Sequence, residues 1–286
     1  MHHNLLEEKP RYLLKYFLEE YNKIIQIDIN KAYKLIKDAT YYYSGKIPIP
    51  EYVKSLEDQW YNQLNNNFID YSVYSDKYYF TDIWACWNLY SRKYILSIKK
   101  ENTIYDYFVK NVNSIVDLGC GIAYSTAMLK QMFPKADVYG TNIAGTAQFN
   151  FGYQLSKIYN FQIKSNVEDI NKPIDLVFAS EYFEHIEDAT DNIRNVVKKL
   201  NPKCLFLANS FNTKSLGHFL KYKEKTDIKK FNNTELPLYE YYDQKIISKK
   251  FNKTLKELGY MSPKTKLWNN KPRFWIKNKL VENAGK

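Results

Sequence analysis

Glu181, Glu184 and His185 are the residues best suited by type and spacing to do chemistry. On a helix that begins near Glu181, offsets of three and four place both carboxylates and the imidazole on one face. Such a set can bind a divalent cation through oxygen and imidazole ligands. It can also serve as a metal-free general base, or the imidazole can simply pack at the helix start. Upstream, Asp117-Leu118-Gly119-Cys120-Gly121 follows the apolar run Ser114-Ile115-Val116 and precedes a helical pattern over 123–130. A strand that ends in a Gly-x-Gly turn and opens a helix exposes backbone N–H groups where a ligand can approach with no Cβ in the way.

These residues need elements to hold them, and the sequence supplies a repeating set. Strands are predicted at 114–118, 136–142, 161–163, 174–180 and 204–208 from short apolar runs with polar ends. Helices alternate with them, the last at 188–200 before Asn201-Pro202 and at 242–258 before Gly259. Residues 264–268 and 273–277 read as a closing antiparallel pair that turns at 269–272. The first hundred residues differ, with helices predicted at 10–26, at 28–40 with Asp28 as N-cap, and at 51–65. Trp84, Trp87 and Tyr94 then recur at helical spacing. They suit either packing against a sheet or a platform for flat rings with Arg92 and Lys93 on phosphates. Packing is the better reading of that spacing.

The glycine turn, followed by Asp175-Leu176-Val177-Phe178-Ala179-Ser180 and Glu184-His185-Ile186, resembles the class I S-adenosylmethionine-dependent methyltransferases over about 103–279. The resemblance implies an α/β fold with a Rossmann-like seven-stranded sheet in residues 101–286. Residues 1–100 then form a helical N-terminal segment that covers the mouth of the site and contributes to substrate choice. A basic insertion at about 212–240 overhangs that site. The resemblance also implies that Asp117 fixes the turn, that Gly119 and Gly121 admit the methionine moiety, and that Val167 and Ser180 border the cofactor. Asn142 and Asn166 stand where the family often has acids for the ribose and the adenine. Asn offers a neutral acceptor and two donor hydrogens, so its bonds are weaker than charge-assisted ones. A catalytically silent cofactor-binding or scaffold subunit is the alternative that these two departures support.

Methyltransferases of base amino groups commonly carry Asp/Asn-Pro-Pro-Tyr/Phe after the fourth strand, where this chain has Ser180-Glu181-Tyr182-Phe183. Glu181-x-x-Glu184-His185 is instead similar to the metal site of small-RNA 3′-end 2′-O-methyltransferases and to ubiquinone-biosynthesis O-methyltransferases. In the RNA enzymes a second His after the fifth strand completes the metal site, and His218 stands in the matching region. The resemblance thus implies Glu181, Glu184, His185 and His218 as ligands for Mg²⁺ or Mn²⁺ and a hydroxyl as methyl acceptor.

Charge bears on the acceptor. Residues 203–286 carry 19 Lys plus Arg against 7 Asp plus Glu, while the preceding 202 carry 23 against 24. Concentrated positive charge draws polyanions, so an acidic acceptor such as RNA is expected, with a small-molecule O-methyltransferase as the alternative. The three Cys form neither a Cys-x-x-Cys pair nor a disulfide framework. No apolar stretch reaches membrane-span length and the N-terminus lacks signal-peptide character, so the expected location is cytoplasmic.

Overall fold

Five of the seven sheet strands run parallel, because crossovers between them return the chain to the same end of the sheet each time. The computed structural model describes residues 3–66, 68–231, 234–265 and 273–278, with side chains described outside 226–237. Helices α1 (Pro10–Ile25), α2 (Ile29–Tyr43) and α3 (Glu51–Asn65) come first. The Asp28 side chain accepts from the Lys31 N–H at 2.8 Å and caps α2 as expected. Next are α4 (Tyr79–Cys86), a π-helical turn at Trp87–Ser91, α5 (Arg92–Lys100) and α6 (Asn102–Asn111).

The alternating region follows as β1 (Ser114–Leu118), α7 (Tyr124–Met132), β2 (Asp137–Thr141), α8 (Ala147–Tyr159), β3 (Gln162–Lys164), β4 (Leu176–Ser180), α9 (Ala189–Leu200) and β5 (Cys204–Ala208). A hairpin of β6 (Lys221–Phe231) and β7 (Thr234–Asp243) precedes α10 (Gln244–Glu257), β8 (Tyr260–Met261) and β9 (Arg273–Lys277). The sheet order is β3-β2-β1-β4-β5-β9-β8, with β9 and β8 antiparallel. The order reverses between β1 and β4, and a crevice opens at the carboxyl ends of parallel strands at such a point. Gly119 and Glu181 follow those two strands directly.

Alternation along β1 sends Ile115 to one face of the sheet and Val116 to the other. On the first face Phe17 stacks on Trp84 at 4.9 Å between ring centres and meets Phe151 edge-on at 5.4 Å. On the second, Trp60 and Tyr74 join Val177, Leu205 and Phe251. The N-terminal helices therefore contribute to both layers of one core. Trp84, Trp87 and Tyr94 are buried, as the packing reading requires. Arg92 donates to the Glu8 carbonyl at 3.0 Å, a contact within the N-terminal segment.

Within the insertion the chain forms a long hairpin, separate from the main sheet. Two expectations change. Strand β9 pairs with Tyr260–Met261, which lies upstream of the expected partner at 264–268. Most of that predicted strand and its turn at 269–272 lie outside the described residues. Finally, no helix starts at Glu181. A 3₁₀ turn spans Phe183–His185 and the helix proper begins at Ala189.

Candidate active site

Gly119 and Gly121 both have positive φ, +63° and +54°, the left-handed conformation that favours glycine. A Cβ on Gly119 would lie 2.4 Å from the Tyr182 ring, and one on Gly121 would lie 2.9 Å from Ile83 Cγ2. The turn is fastened to β2: the Cys120 N–H donates to the Thr141 carbonyl at 2.9 Å and the Gly119 N–H to Thr141 Oγ1 at 3.3 Å. Buried Asp117 accepts from Ser125 Oγ at 2.6 Å and Thr126 Oγ1 at 2.7 Å, tying the end of β1 to the start of α7. Burial pushes its pKa up to about 7 against the pull of those two hydroxyls.

Two cavities meet at this turn. The outer one, about 450 Å³, runs from Gly119 and Gly121 past Thr141, Asn142 and Ile143 to Asn166 and Val167. Its size falls within the roughly 300–1,000 Å³ of small-molecule sites. Among the described residues no Lys or Arg lines it, which suits a cationic sulfonium. The residues present therefore fit S-adenosylmethionine. Asn142 borders this space, but its amide is engaged: Nδ2 donates to the Gly121 carbonyl and Oδ1 accepts from the Ile143 N–H, each at 2.8 Å. Its first task is to hold the glycine turn. Asn166 accepts from the Glu168 N–H at 2.8 Å and caps the short 3₁₀ turn Val167–Asp169. Ser180 lines the inner cavity alone, paired with Ser91 at 2.9 Å between hydroxyl oxygens.

The inner chamber, about 160 Å³, shares Tyr79, Ile83, Gly119, Gly121, Glu181 and His185 with the outer one. Its far wall comes from the N-terminal helices, with Tyr43, Asp82, Cys86, Trp87, Tyr90 and Ser91, and its floor includes His218. The π turn at Trp87–Ser91 supplies three of these; extra residues of this kind recur at functional sites.

Glu181 has φ +53°, a strained conformation for a residue with a Cβ, costing roughly 1–2 kcal/mol. Its N–H is held by the Ala208 carbonyl at 2.7 Å, and Tyr94 donates its hydroxyl to Oε1 at 3.1 Å. Glu184 is fully buried, lines neither cavity, and accepts from the Ser210 N–H at 2.8 Å. Its Oε2 is buried without a hydrogen-bond partner. Burial, and then the Glu181 charge, drive its pKa well above the carboxylate range.

His185 and His218 lie edge to face, 4.7 Å between ring centres. His185 Nδ1 pairs with the Tyr74 hydroxyl at 2.9 Å. Burial, and then His218, hold its pKa well below the usual imidazole value. His218 Nδ1 donates to the Thr213 carbonyl at 2.7 Å, which fixes the tautomer and leaves Nε2 unprotonated. Burial lowers its pKa as well. Both rings are neutral near pH 7.

The structure thus brings Glu181, Glu184, His185 and His218 to one place, but not as a metal site. Among the described residues no group of three or more His, Cys, Asp or Glu side chains is arranged to hold an ion. The reason is local. Without a helix at Glu181 the two carboxylates do not project from one face, and Glu184 turns into the protein as a neutral acid. His218 uses Nδ1 on the backbone. The residues present do not fit Mg²⁺ or Mn²⁺.

Sequence reading misses the groups that place His218. Trp60 Nε1 donates to the His218 carbonyl at 2.9 Å, and the Tyr61 hydroxyl donates to the Ser215 carbonyl at 2.7 Å. It also misses Tyr74, in the 3₁₀ turn Tyr71–Ser75, and Asp82 of α4, while Trp87 is singled out there only for packing or as a ring platform.

Residues 116–208 match the family described as a methyltransferase domain. No curated protein sequence matches the chain. Solved structures with a similar fold include the sugar N-methyltransferase KedS8 from Streptoalloteichus sp ATCC 53650, at 11% identity and TM-score 0.41, covering 63% of this chain and 86% of that one. DesVI from Streptomyces venezuelae is 8% identical with TM-score 0.43, covering 69% and 97%. Magnesium protoporphyrin IX methyltransferase from Synechocystis PCC 6803 is 13% identical with TM-score 0.37, covering 66% and 84%. Residues 116–208 thus match a methyltransferase domain, and the seven-stranded sheet that contains them has Rossmann-like order. Among the described residues no helix is long and apolar enough to cross a membrane.

Proposed function

We propose that the enzyme transfers methyl to a hydroxyl of a small acceptor seated in the inner chamber, with His218 taking the proton and no metal involved. The observation that carries this reading is the meeting of the two cavities at Gly119, Gly121, Glu181 and His185. S-adenosylmethionine, when bound, supplies an electrophilic methyl group on a sulfonium. The chain's own residues then have to orient a nucleophile in line with it and remove its proton. His218 Nε2 is the neutral lone pair at the chamber floor, and the Thr213 carbonyl keeps it in that tautomer. His185, steadied by Tyr74, packs against it. Burial and the Glu181 charge favour the protonated form of Glu184, which keeps two carboxylate charges from standing side by side next to the chamber.

The lysine-rich segment supports a second acceptor class, an RNA end, since Lys221, Lys223 and Lys225 open the β6 strand. Among the described residues no Lys or Arg lines either cavity, which favours the small acceptor. Mass spectrometry of metabolite and RNA pools incubated with isotopically labelled S-adenosylmethionine tests both. Label on a small alcohol or phenol is expected. Label on RNA alone, with a rate that falls steeply with salt, transfers the reading to the polyanion. Failure to bind the cofactor at millimolar concentration in calorimetry sinks both.

A further inference from the structure

Among the described residues, the buried Asp82 carboxylate has no ion-pair partner. It sits on α4, 7% exposed, and lines the inner chamber but not the cofactor cavity. One oxygen accepts from the Tyr43 hydroxyl and the other lies 3.9 Å from Cys86 Sγ. Among the described residues no Lys, Arg or His forms an ion pair with it. A second acid, Glu57, lies close enough for the Asp82 charge to raise its pKa, and its buried Oε1 has no partner. The nearby cation, Lys214, sits over the Tyr61 ring at 4.4 Å and acts on Glu57. Buried carboxylates of this kind are normally paired.

Two further features of the chamber point to what pairs with Asp82. Tyr43, Tyr79, Trp87 and Tyr90 wall the space, and aromatic faces attract cations. Trp87 is 4% exposed, and its Nε1–H is buried without a partner. An indole N–H calls for an oxygen acceptor. The chamber therefore offers an anion and aromatic faces for a cation, a donor for an oxygen, and a base, His218.

We propose that the acceptor is an amino alcohol or aminophenol, its ammonium group held by Asp82 and its hydroxyl turned toward His218. This rests on the small-acceptor reading above. Burial pushes the Asp82 pKa up to about 6, so the carboxylate is mainly ionised at neutral pH and gains from a bound cation.

The test uses three phenols of one shape and different charge: tyramine, 4-ethylphenol and 3-(4-hydroxyphenyl)propionate. Each is titrated calorimetrically into the full chain saturated with S-adenosylhomocysteine, so that no turnover intervenes. Tyramine should bind about ten-fold or more tighter than 4-ethylphenol, and the propionate should not bind. Asp82→Asn should erase the preference while S-adenosylhomocysteine affinity, the check on folding, stays at the wild-type value. Asp82→Glu, which keeps the charge, should retain the preference. Equal binding of tyramine and 4-ethylphenol, no binding of tyramine, or a preference that survives Asp82→Asn overturns the proposal. A tyramine preference without methylated product under turnover conditions leaves the recognition standing and refutes the transfer reading instead. Methyl found on the tyramine nitrogen overturns the placement of the ammonium at Asp82.

Discussion

His218 and Glu184 divide the chemistry between a free lone pair and a fixed proton. His218→Asn keeps a donor for the Thr213 carbonyl but removes the base. We expect a loss of roughly 10²–10⁴-fold in kcat with cofactor affinity unchanged. The sign of the pH effect follows from the lowered pKa of His218. The base is active when unprotonated, so the wild-type rate climbs as pH rises through a value below 6.5 and is level at neutrality. The residual rate of the variant should lack that limb; a variant with the wild-type rate removes His218 from the mechanism. Glu184 has the opposite displacement. Its pKa is raised in the fold, so its stabilisation is complete below the unfolded carboxyl value of about 4.3 and is lost as pH rises toward the folded value. Glu184→Gln imitates the protonated acid, so its urea midpoint should gain on wild type between pH 5 and pH 8. Glu184→Ala leaves the Ser210 N–H without its acceptor, and about 1–3 kcal/mol should be lost at acid pH, the loss shrinking as pH rises toward the folded value. Activity should also survive EDTA, since a neutral, inward-facing Glu184 is no ligand; inactivation reversed by Mg²⁺ or Mn²⁺ would restore the metal reading.

At the scale of elements, the strand–turn–helix unit was legible because its signals are local. Gly119 and Gly121 are needed for backbone conformation, and the apolar runs of β1, β2, β4 and β5 have few other solutions. The segment after β4 was not legible. Glu181, Glu184 and His185 have helical spacing, yet the Ala208 carbonyl captures the Glu181 N–H and diverts the chain into a left-handed residue and a 3₁₀ turn. That choice is made by a neighbouring strand, which periodicity does not report. Asn142 shows the same limit. Its family position suggests a ribose contact, while the structure gives its amide to the Gly121 carbonyl and the Ile143 N–H. Asn142→Asp cannot donate to Gly121 and sets a carboxylate against a carbonyl oxygen. Cofactor binding should weaken by on the order of 1 kcal/mol, a few-fold in Kd by calorimetry. Tighter binding would mean that the ribose contact outweighs the turn.

For the whole molecule, the question is whether the first hundred residues are an attachment or part of the enzyme. Composition and spacing mark them as helical and no more, because an amphipathic stripe does not say what covers it. Packing answers it. Phe17 and Trp84 share one ring cluster with Tyr124 of α7 and Phe151 of α8, at 4.9–6.2 Å between centres. Trp60 and Tyr61 of α3 hold the loop that carries His218. Tyr43 and Asp82 wall the chamber. Each large side chain of this kind stabilises the fold by roughly 1.5–3 kcal/mol when fully buried, so removing the segment takes away an amount comparable to a domain's usual net stability of about 5–15 kcal/mol. The full chain should therefore melt in one cooperative transition, the same by far-ultraviolet circular dichroism and tryptophan fluorescence. A chain beginning at residue 101 should lack that transition, bind 8-anilinonaphthalene-1-sulfonate through its exposed apolar face, and fail to bind S-adenosylmethionine. A truncated chain that melts cooperatively and holds the cofactor would show that α1–α5 only decorate a self-sufficient sheet, and His218 would then need another support.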